Sequence, residues 1–309
     1  ITERDFHPPK TEKKVNWIFV DDTLEALQLL AAWYRKNSGA RVIGITGSNG
    51  KTIVKEWIYQ SLRNEVQVFR SPRSYNSQVG VPLSVLMIRE PDKLAVMEAG
   101  ISKPDEMQKL ESILSPETGI ITNLGAAHQE NFASPEEKLS EKIKLFIHSD
   151  TIIYCRDHEE VHRVLRNELP LKNYVCWGRH PESDIKVYDI KNPVEGISFS
   201  LKGKFETTYS IPFHDNASFE NAMHVTVLLF HLGYSVEFVG NALKNLEPVE
   251  MRLEILKGIH SSTLISDTCN SDMVSLSNAL DLLLQQKQHN KRTLILSDIL
   301  QSGRNEEDL

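Results

Sequence analysis

The chain has 309 residues, which allows roughly two domains, each large enough to bury its own core. With 40% hydrophobic and 25% charged residues, 15 Gly and 13 Pro, it has the composition of a globular protein, which excludes a disordered or collagen-like chain. A net charge of -7 disfavours sequence-independent attraction to nucleic acid, so any phosphate must be gripped locally.

No apolar run approaches the roughly 18 residues that a membrane span needs. Cys155, Cys176 and Cys269 are widely spaced and form no C-x-x-C pair, which argues against a disulfide framework and for a reducing, cytoplasmic setting. The polar, basic opening to Lys14 is no signal peptide, and the acidic stretch before Leu309 reads as an interruption. The expectation is a piece of a longer protein.

Asp22 and Glu25 have capping-box spacing, and Leu27, Leu30, Ala31 and Tyr34 then share one helical face. Apolar or β-branched runs follow at Val42 to Thr46, Val66 to Phe69, Leu94 to Met97, Gly119 to Thr122, Ile152 to Cys155 and Tyr174 to Trp177. Helical patterns separate them, which predicts a mostly parallel sheet covered on both faces. Pro82 and Pro104 stand where a first helical turn would tolerate them.

After Trp177, Ile185 to Ile190 and Ile197 to Tyr209 alternate as half-exposed antiparallel strands, with turns near Asn192, Gly196 and Gly203. A helix is expected from Asn216 to Gly233. Strand-like runs at Leu253 to Leu256, Thr263 to Ser266 and Thr293 to Leu296 flank a helix near Leu276 to Gln286, with a domain boundary near Pro248. The fold class is therefore α/β: a sheet flanked by helices, a small antiparallel β appendage, and a partial Rossmann-like C-terminal unit.

The strongest local signal is GITGSNGKT from Gly44 to Thr52, directly after a strand and before a helix. Such a turn surrounds phosphate oxygens with backbone N–H groups and a helix N-terminus. Lys51 would add a point charge and Thr52 a hydroxyl for magnesium. Ile45 occupies the first glycine position of the strict phosphate-loop spacing.

Three other residues deserve weighing on position alone. Glu98 ends an apolar strand at the edge where open α/β sheets place ligands; it reads either as a metal ligand or as an exposed strand-end carboxylate. His128 follows a strand on the same side, and imidazole is softer than magnesium prefers. Lys142 borders the apolar face of the Pro135 to Ile147 helix, where burial would lower its pKa, although a solvated lysine is the plainer reading. His158 to His162 satisfies H-E-x-x-H, but no third zinc ligand follows, which favours a charged surface helix.

The form TGSNGKT resembles the phosphate loop of the Mur ligase family, and further similarities follow in order. They are YNSQVGVPL from Tyr75, MEAG from Met97, NLGAAH from Asn123, FAS from Phe132, RLE from Arg252 and SDTCN from Ser266. They point to the UDP-N-acetylmuramoyl-tripeptide D-alanyl-D-alanine ligase branch and span roughly residues 17 to 305.

The resemblance implies an ATP-dependent ligase of peptidoglycan precursor synthesis that joins the tripeptide carboxylate to D-Ala-D-Ala through an acyl phosphate. It implies ATP contacts at Gly47, Ser48, Asn49, Gly50, Lys51, Thr52, Asn221, Arg252 and Asp267. Magnesium, at two sites, would rest on Thr52, Glu98 and His128, substrate on Asn76 and Ser77, and Lys142 would carry a carbamate. Ser218, where the family has Asn, and Cys269, where it has Tyr, are departures.

Residues 1–16 would be the remnant of a UDP-sugar-binding domain, 17–247 the ATP-binding domain and 248–309 the start of the third. The stretch is then expected to be a weak ligase alone, and a fused alanine racemase is open. A folylpolyglutamate synthetase shares the architecture, but Thr52 after Lys51 and NLGAAH disfavour it. A nucleotide-binding scaffold without catalysis is the remaining alternative.

Overall fold

The computed structural model describes residues 1–5, 16–125, 131–268, 273–286, 288–289 and 291–296. In chain order the elements are β1 (Thr2–Glu3), β2 (Phe19–Val20), α1 (Thr23–Asn37), β3 (Arg41–Thr46), α2 (Lys51–Leu62), β4 (Val68–Arg70) and α3 (Gly80–Val85). Next come β5 (Leu94–Glu98), α4 (Glu106–Leu114), β6 (Thr118–Ile121), α5 (Pro135–Ile143), β7 (Thr151–Cys155), α6 (Glu159–Glu168) and β8 (Asn173–Gly178). The rest are β9 (Ile185–Lys191), β10 (Ile197–Lys202), β11 (Glu206–Ile211), α7 (Asn216–His231), α8 (Val236–Lys244), β12 (Glu254–Lys257), β13 (Thr263–Ser266) and α9 (Met273–Gln285).

Nine strands form one sheet in the order β11-β10-β9-β8-β7-β6-β3-β5-β4. The run from β4 to β9 is parallel, and β9, β10 and β11 continue it as an antiparallel meander. The expected appendage is thus an extension of the same sheet.

The parallel strands are buried on both faces, which explains their near-continuous apolar runs. Ile43, Ile45 and Ile153 face a core built with Val54, Trp57 and Ile58 of α2 and Phe219 and Val225 of α7. Val42, Ile152 and Tyr154 face the opposite core, with Ala31, Val81, Leu110, Leu139 and Val161.

Helix starts follow their side chains. The Asp22 carboxylate accepts from the N–H groups of Leu24 and Glu25 at 2.8 and 2.9 Å, as the spacing predicts. Pro82 is inside the first turn of α3, whereas Pro104 precedes the α4 cap, Asp105. The strand expected from Val66 begins at Val68, because Val66 N–H still bonds back to Leu62 O at the end of α2. The helix expected from Pro135 to Ile147 tightens into a 3₁₀ turn at Lys144–Phe146.

One expectation fails. Residues 293–296 are not a strand: β12 and β13 pair with each other, no neighbour offers Thr293 to Leu296 a ladder among the described residues, and Ile295 is 92% exposed. The domain boundary read at Pro248 falls between α8 and β12.

The order places β3 beside β6, with the chain running from β3 toward β4 on one side and from β6 toward β7 on the other. This switch point opens a crevice at the carboxyl ends of β3, β5 and β6, where such sheets bind ligands.

Trp57 fastens α2 beside that crevice: it stacks on Phe213 at 4.9 Å, and its indole N–H donates to Glu247 O at 2.9 Å. Trp57→Ala should cost about 3–5 kcal/mol in urea unfolding; a loss below about 1 kcal/mol would contradict this packing role.

Candidate functional site

The turn from β3 into α2 needs its glycines. At Gly47 (φ +139°) an added Cβ would lie 2.0 Å from Thr122 Oγ1, and at Gly50 (φ +84°) it would lie 2.2 Å from Asn221 Oδ1. The loop after β6 braces the turn. Ser48 N–H donates to Asn123 O at 2.9 Å, Asn49 N–H to Asn123 Oδ1 at 3.0 Å, and the Thr122 hydroxyl donates to Asn49 O. Ser48 Oγ accepts from Gly125 N–H at 2.8 Å. The first residues of NLGAAH therefore shape the phosphate loop itself, a role that the sequence reading did not give them.

Three lysines converge there. Lys51 Nζ donates to the carbonyls of Gly47 and Ser48 at 2.8 and 2.9 Å, Lys142 Nζ to Gly47 O at 3.2 Å, and Lys138 Nζ to Gly125 O at 2.6 Å. Lys142 is buried, as is Lys138, which the sequence reading missed. Burial first, then repulsion from Lys51 and Lys138, holds the Lys142 amine well below the ordinary lysine range.

Glu98, at the end of β5, is fully buried rather than an exposed strand end. Its Oε1 lies 2.9 Å from Lys55 Nζ, and its Oε2 accepts from the Thr52 hydroxyl at 3.2 Å and from Asn76 Nδ2 at 3.3 Å. Lys55, equally buried, also donates to Arg73 O, which a left-handed Arg73 (φ 46°) presents. Lys55 was missed, although it follows Thr52 at the helical i,i+3 spacing.

Thr52 Oγ1 is 3.3 Å from Ser74 Oγ and 3.2 Å from Glu98 Oε2. Neighbouring oxygens of an octahedral magnesium shell, with bonds of 2.0–2.1 Å, are about 3 Å apart, so this all-oxygen set fits the ion. Ser74 is a donor that the sequence did not reveal.

Two adjoining clefts share Asn49, Gly50, Ile53 and Arg252. The first, about 430 Å³, carries Lys51, Thr52, Ser74, Asn76, Ser77 and Lys142 on its walls. Ser77 also accepts from Gly80 N–H at the start of α3, at 3.1 Å. The second, about 270 Å³, is lined by His158, Asn216, Glu220, Asn221, Asp267 and Asn278, among others. Gly50, Asn221, Arg252 and Asp267 thus line one cleft.

Ser218 lines neither cleft: it is buried beside its cap, Asp215. Asn216 and Glu220 occupy the wall instead. His128 and Cys269 lie outside the described residues. The two histidines of H-E-x-x-H separate, His162 Nδ1 meeting the Tyr154 hydroxyl at 2.7 Å and His158 Nε2 facing Glu220 at 3.5 Å.

With this geometry in place, the comparisons are specific: the pattern of the Mur ligase middle domain matches residues 45–229, from the end of β3 through most of α7. The chain belongs to the Mur ligase family. This Mur ligase is 32% identical over 293 residues to the UDP-N-acetylmuramoyl-tripeptide--D-alanyl-D-alanine ligase of Bacillus subtilis, covering 94% of this chain and 63% of that one.

In fold it resembles MurF from Acinetobacter baumannii, with a TM-score of 0.81, 24% identity, and coverage of 90% of this chain and 62% of that one. It also resembles MurF from Thermotoga maritima, solved in complex with ADP. There the TM-score is 0.75 and the identity 25%, over 88% of this chain and 64% of that one. The chain therefore spans somewhat under two thirds of these relatives. No helix among the described residues is long and apolar enough to cross a membrane.

The depressed Lys142 has a measurable consequence. Between its folded pKa and the unfolded value near 10.4, the unfolded chain binds a proton that the folded chain does not. Stability contributed at this position therefore rises with pH through that window. In carbon-dioxide-free buffer the wild type should gain urea resistance relative to Lys142→Met as the pH is raised toward the unfolded lysine pKa; a flat difference would contradict a depressed amine.

Proposed function

We propose that this Mur ligase is the catalytic core of an ATP-dependent ligase that joins UDP-N-acetylmuramoyl-tripeptide to D-Ala-D-Ala in the cytoplasm, in peptidoglycan precursor synthesis. The supporting observation is the cleft in which the phosphate loop, Lys51, Lys142 and the Thr52 and Ser74 oxygens meet Asn76 and Ser77, with the buried Glu98 carboxylate directly behind Thr52 and Asn76. Amide formation from a carboxylate needs such a place, because two sets of anions must be held together.

In this reading the loop from Gly47 to Thr52 and the N-terminus of α2 hold the ATP phosphates. Lys51 and Arg252 neutralise them. Asn221 and Asp267 meet the nucleoside from the second cleft, and Asn76 and Ser77 orient the incoming carboxylate. That carboxylate attacks the γ-phosphorus and ADP leaves. The amine of D-Ala-D-Ala then attacks the acyl carbon of the acyl phosphate, phosphate departs, and the amine proton is released. Magnesium, when bound, would neutralise phosphate charge on Thr52, Ser74 and Glu98, with His128 assigned from the family resemblance and a second ion expected on the same ground.

Lys142 is suited to carbamylation because burial favours its neutral, nucleophilic amine. Its nitrogen adds to carbon dioxide and loses a proton, which replaces a potential third cation beside Lys51 and Lys138 with an anion. The domain reading stays as proposed: 17–247 for ATP and 248–309 for the start of the third domain, with 1–16 left from the sugar-binding unit.

The test is amine-dependent phosphate release from the uninterrupted reading frame, supplied with ATP, magnesium and UDP-N-acetylmuramoyl-tripeptide. D-Ala-D-Ala should release phosphate and glutamate should not, and Lys51→Ala should abolish both release and the thermal shift given by ADP. Release with glutamate instead, or an unchanged ADP shift in Lys51→Ala, would overturn the assignment.

A further inference from the structure

The two clefts differ in their lining: Ser48, Lys51 and Thr52 of the phosphate loop face only the first. The first is lined by Lys51, Lys142 and Glu106 beside the phosphate loop, whereas the second has no lysine among its lining residues and carries Glu220, Asp267, His158 and four asparagines from beyond the phosphate loop, Asn123, Asn216, Asn221 and Asn278; Arg252 is common to both. A nucleotide that straddles Gly50 therefore gains by placing its phosphates in the first cleft and its uncharged base in the second. Its base would then face the wall made by α7 and the start of α6.

Glu220 is the ionic group of that wall from α7, and it is held in place. Its Oε1 accepts from Asn216 Nδ2 at 2.9 Å, one helical turn away, while Oε2 lies 3.5 Å from His158 Nε2. The side chain keeps 28% of its surface exposed. Each carboxylate oxygen has two lone pairs, so both retain accepting capacity toward the cleft. Burial would raise this carboxyl, but the bond and charge of His158, helped by Asn216, outweigh it and leave it below the ordinary value. It is thus an acceptor that offers no proton near neutrality.

We infer that Glu220, braced by His158 and Asn216, selects the base of the bound nucleotide by accepting a hydrogen bond from an exocyclic amine. The inference rests on the nucleotide reading above and adds a specificity determinant to it. A 6-amino purine places a donor against the carboxylate; a 6-oxo purine places a carbonyl oxygen there, leaving two acceptors face to face. The discrimination comes from an unsatisfied buried polar contact, the kind of mismatch that separates ligands most sharply. Asn216 and Glu220 share a face of α7 at i,i+4, so the brace is built into the helix.

Calorimetric titration of the intact chain with ADP and with inosine diphosphate tests this directly. The wild type should bind ADP about tenfold or more tightly than inosine diphosphate. Glu220→Gln, which can present an amide N–H or an oxygen, should bring the ratio within about threefold, with a cooperative melting transition retained. Should that variant fold poorly, His158→Gln, which removes the brace and keeps the carboxylate, should lower the ratio at least about threefold. Equal binding of both nucleotides to the wild type, or an unaltered ratio in a folded Glu220→Gln, overturns the base-selection inference alone. Binding of neither nucleotide to the wild type overturns the nucleotide reading as well.

Discussion

The buried pair of Lys55 and Glu98 is the constraint around which the site is built. Both side chains have no exposure, and their charged atoms lie 2.9 Å apart. A lone charge in such a place costs several kcal/mol even after relaxation, so Glu98 requires Lys55, whose Nζ also lies 3.4 Å from Glu56 Oε1. The pair also joins three separate segments: α2 through Lys55 and Thr52, the carboxyl end of β5 through Glu98, and the connecting loop through Arg73 O and Asn76. Because α2 begins at the phosphate loop, fixing Lys55 one turn along it also fixes where Thr52 and the helix N-terminus point.

A second layer of order surrounds this one. The loop after β6 braces the phosphate loop from the far side through Thr122 and Asn123, and α7 reaches the same region through His224, whose Nε2 donates to Thr122 O at 3.2 Å. Burial lowers the His224 pKa to about 4, so the ring is neutral, and its Nδ1 accepts from the Trp177 indole at 3.3 Å. Lys51 and Lys142 line the first cleft and the carboxylate-and-amide wall the second, with Gly50 common to both, so in the proposed reading phosphate and base fall to different clefts. In the proposed reading the chain's overall negative charge is no obstacle, because attraction for phosphate would be supplied within one cleft rather than by the whole surface.

Local and contiguous features were legible in the sequence. The turn from Gly44 to Thr52 reads directly because strand, glycines and helix start follow one another, and the alternation of apolar runs gives the sheet. Features that depend on distant partners were not. Lys55 looks like an ordinary helical lysine until the fold brings Glu98 against it, and Ser74 is an ordinary loop serine until it faces Thr52. Ser218 and its neighbours show the limit of alignment by resemblance: one position on α7 turns inward to its cap, while Asn216 and Glu220, a turn apart, face the cleft. Thr293 to Leu296 has strand-like composition, but composition cannot supply the neighbouring strand that a ladder requires.

The most direct measurement is a double-mutant cycle on Lys55→Met and Glu98→Gln, read by urea unfolding. If the pair organises the site, each single change should cost about 3–5 kcal/mol. The double change should then cost less than the sum by about 2 kcal/mol or more, since neither residue leaves an uncompensated partner. Costs that simply add, within about 0.5 kcal/mol, would show that Lys55 and Glu98 act independently and that the site is held together by something else.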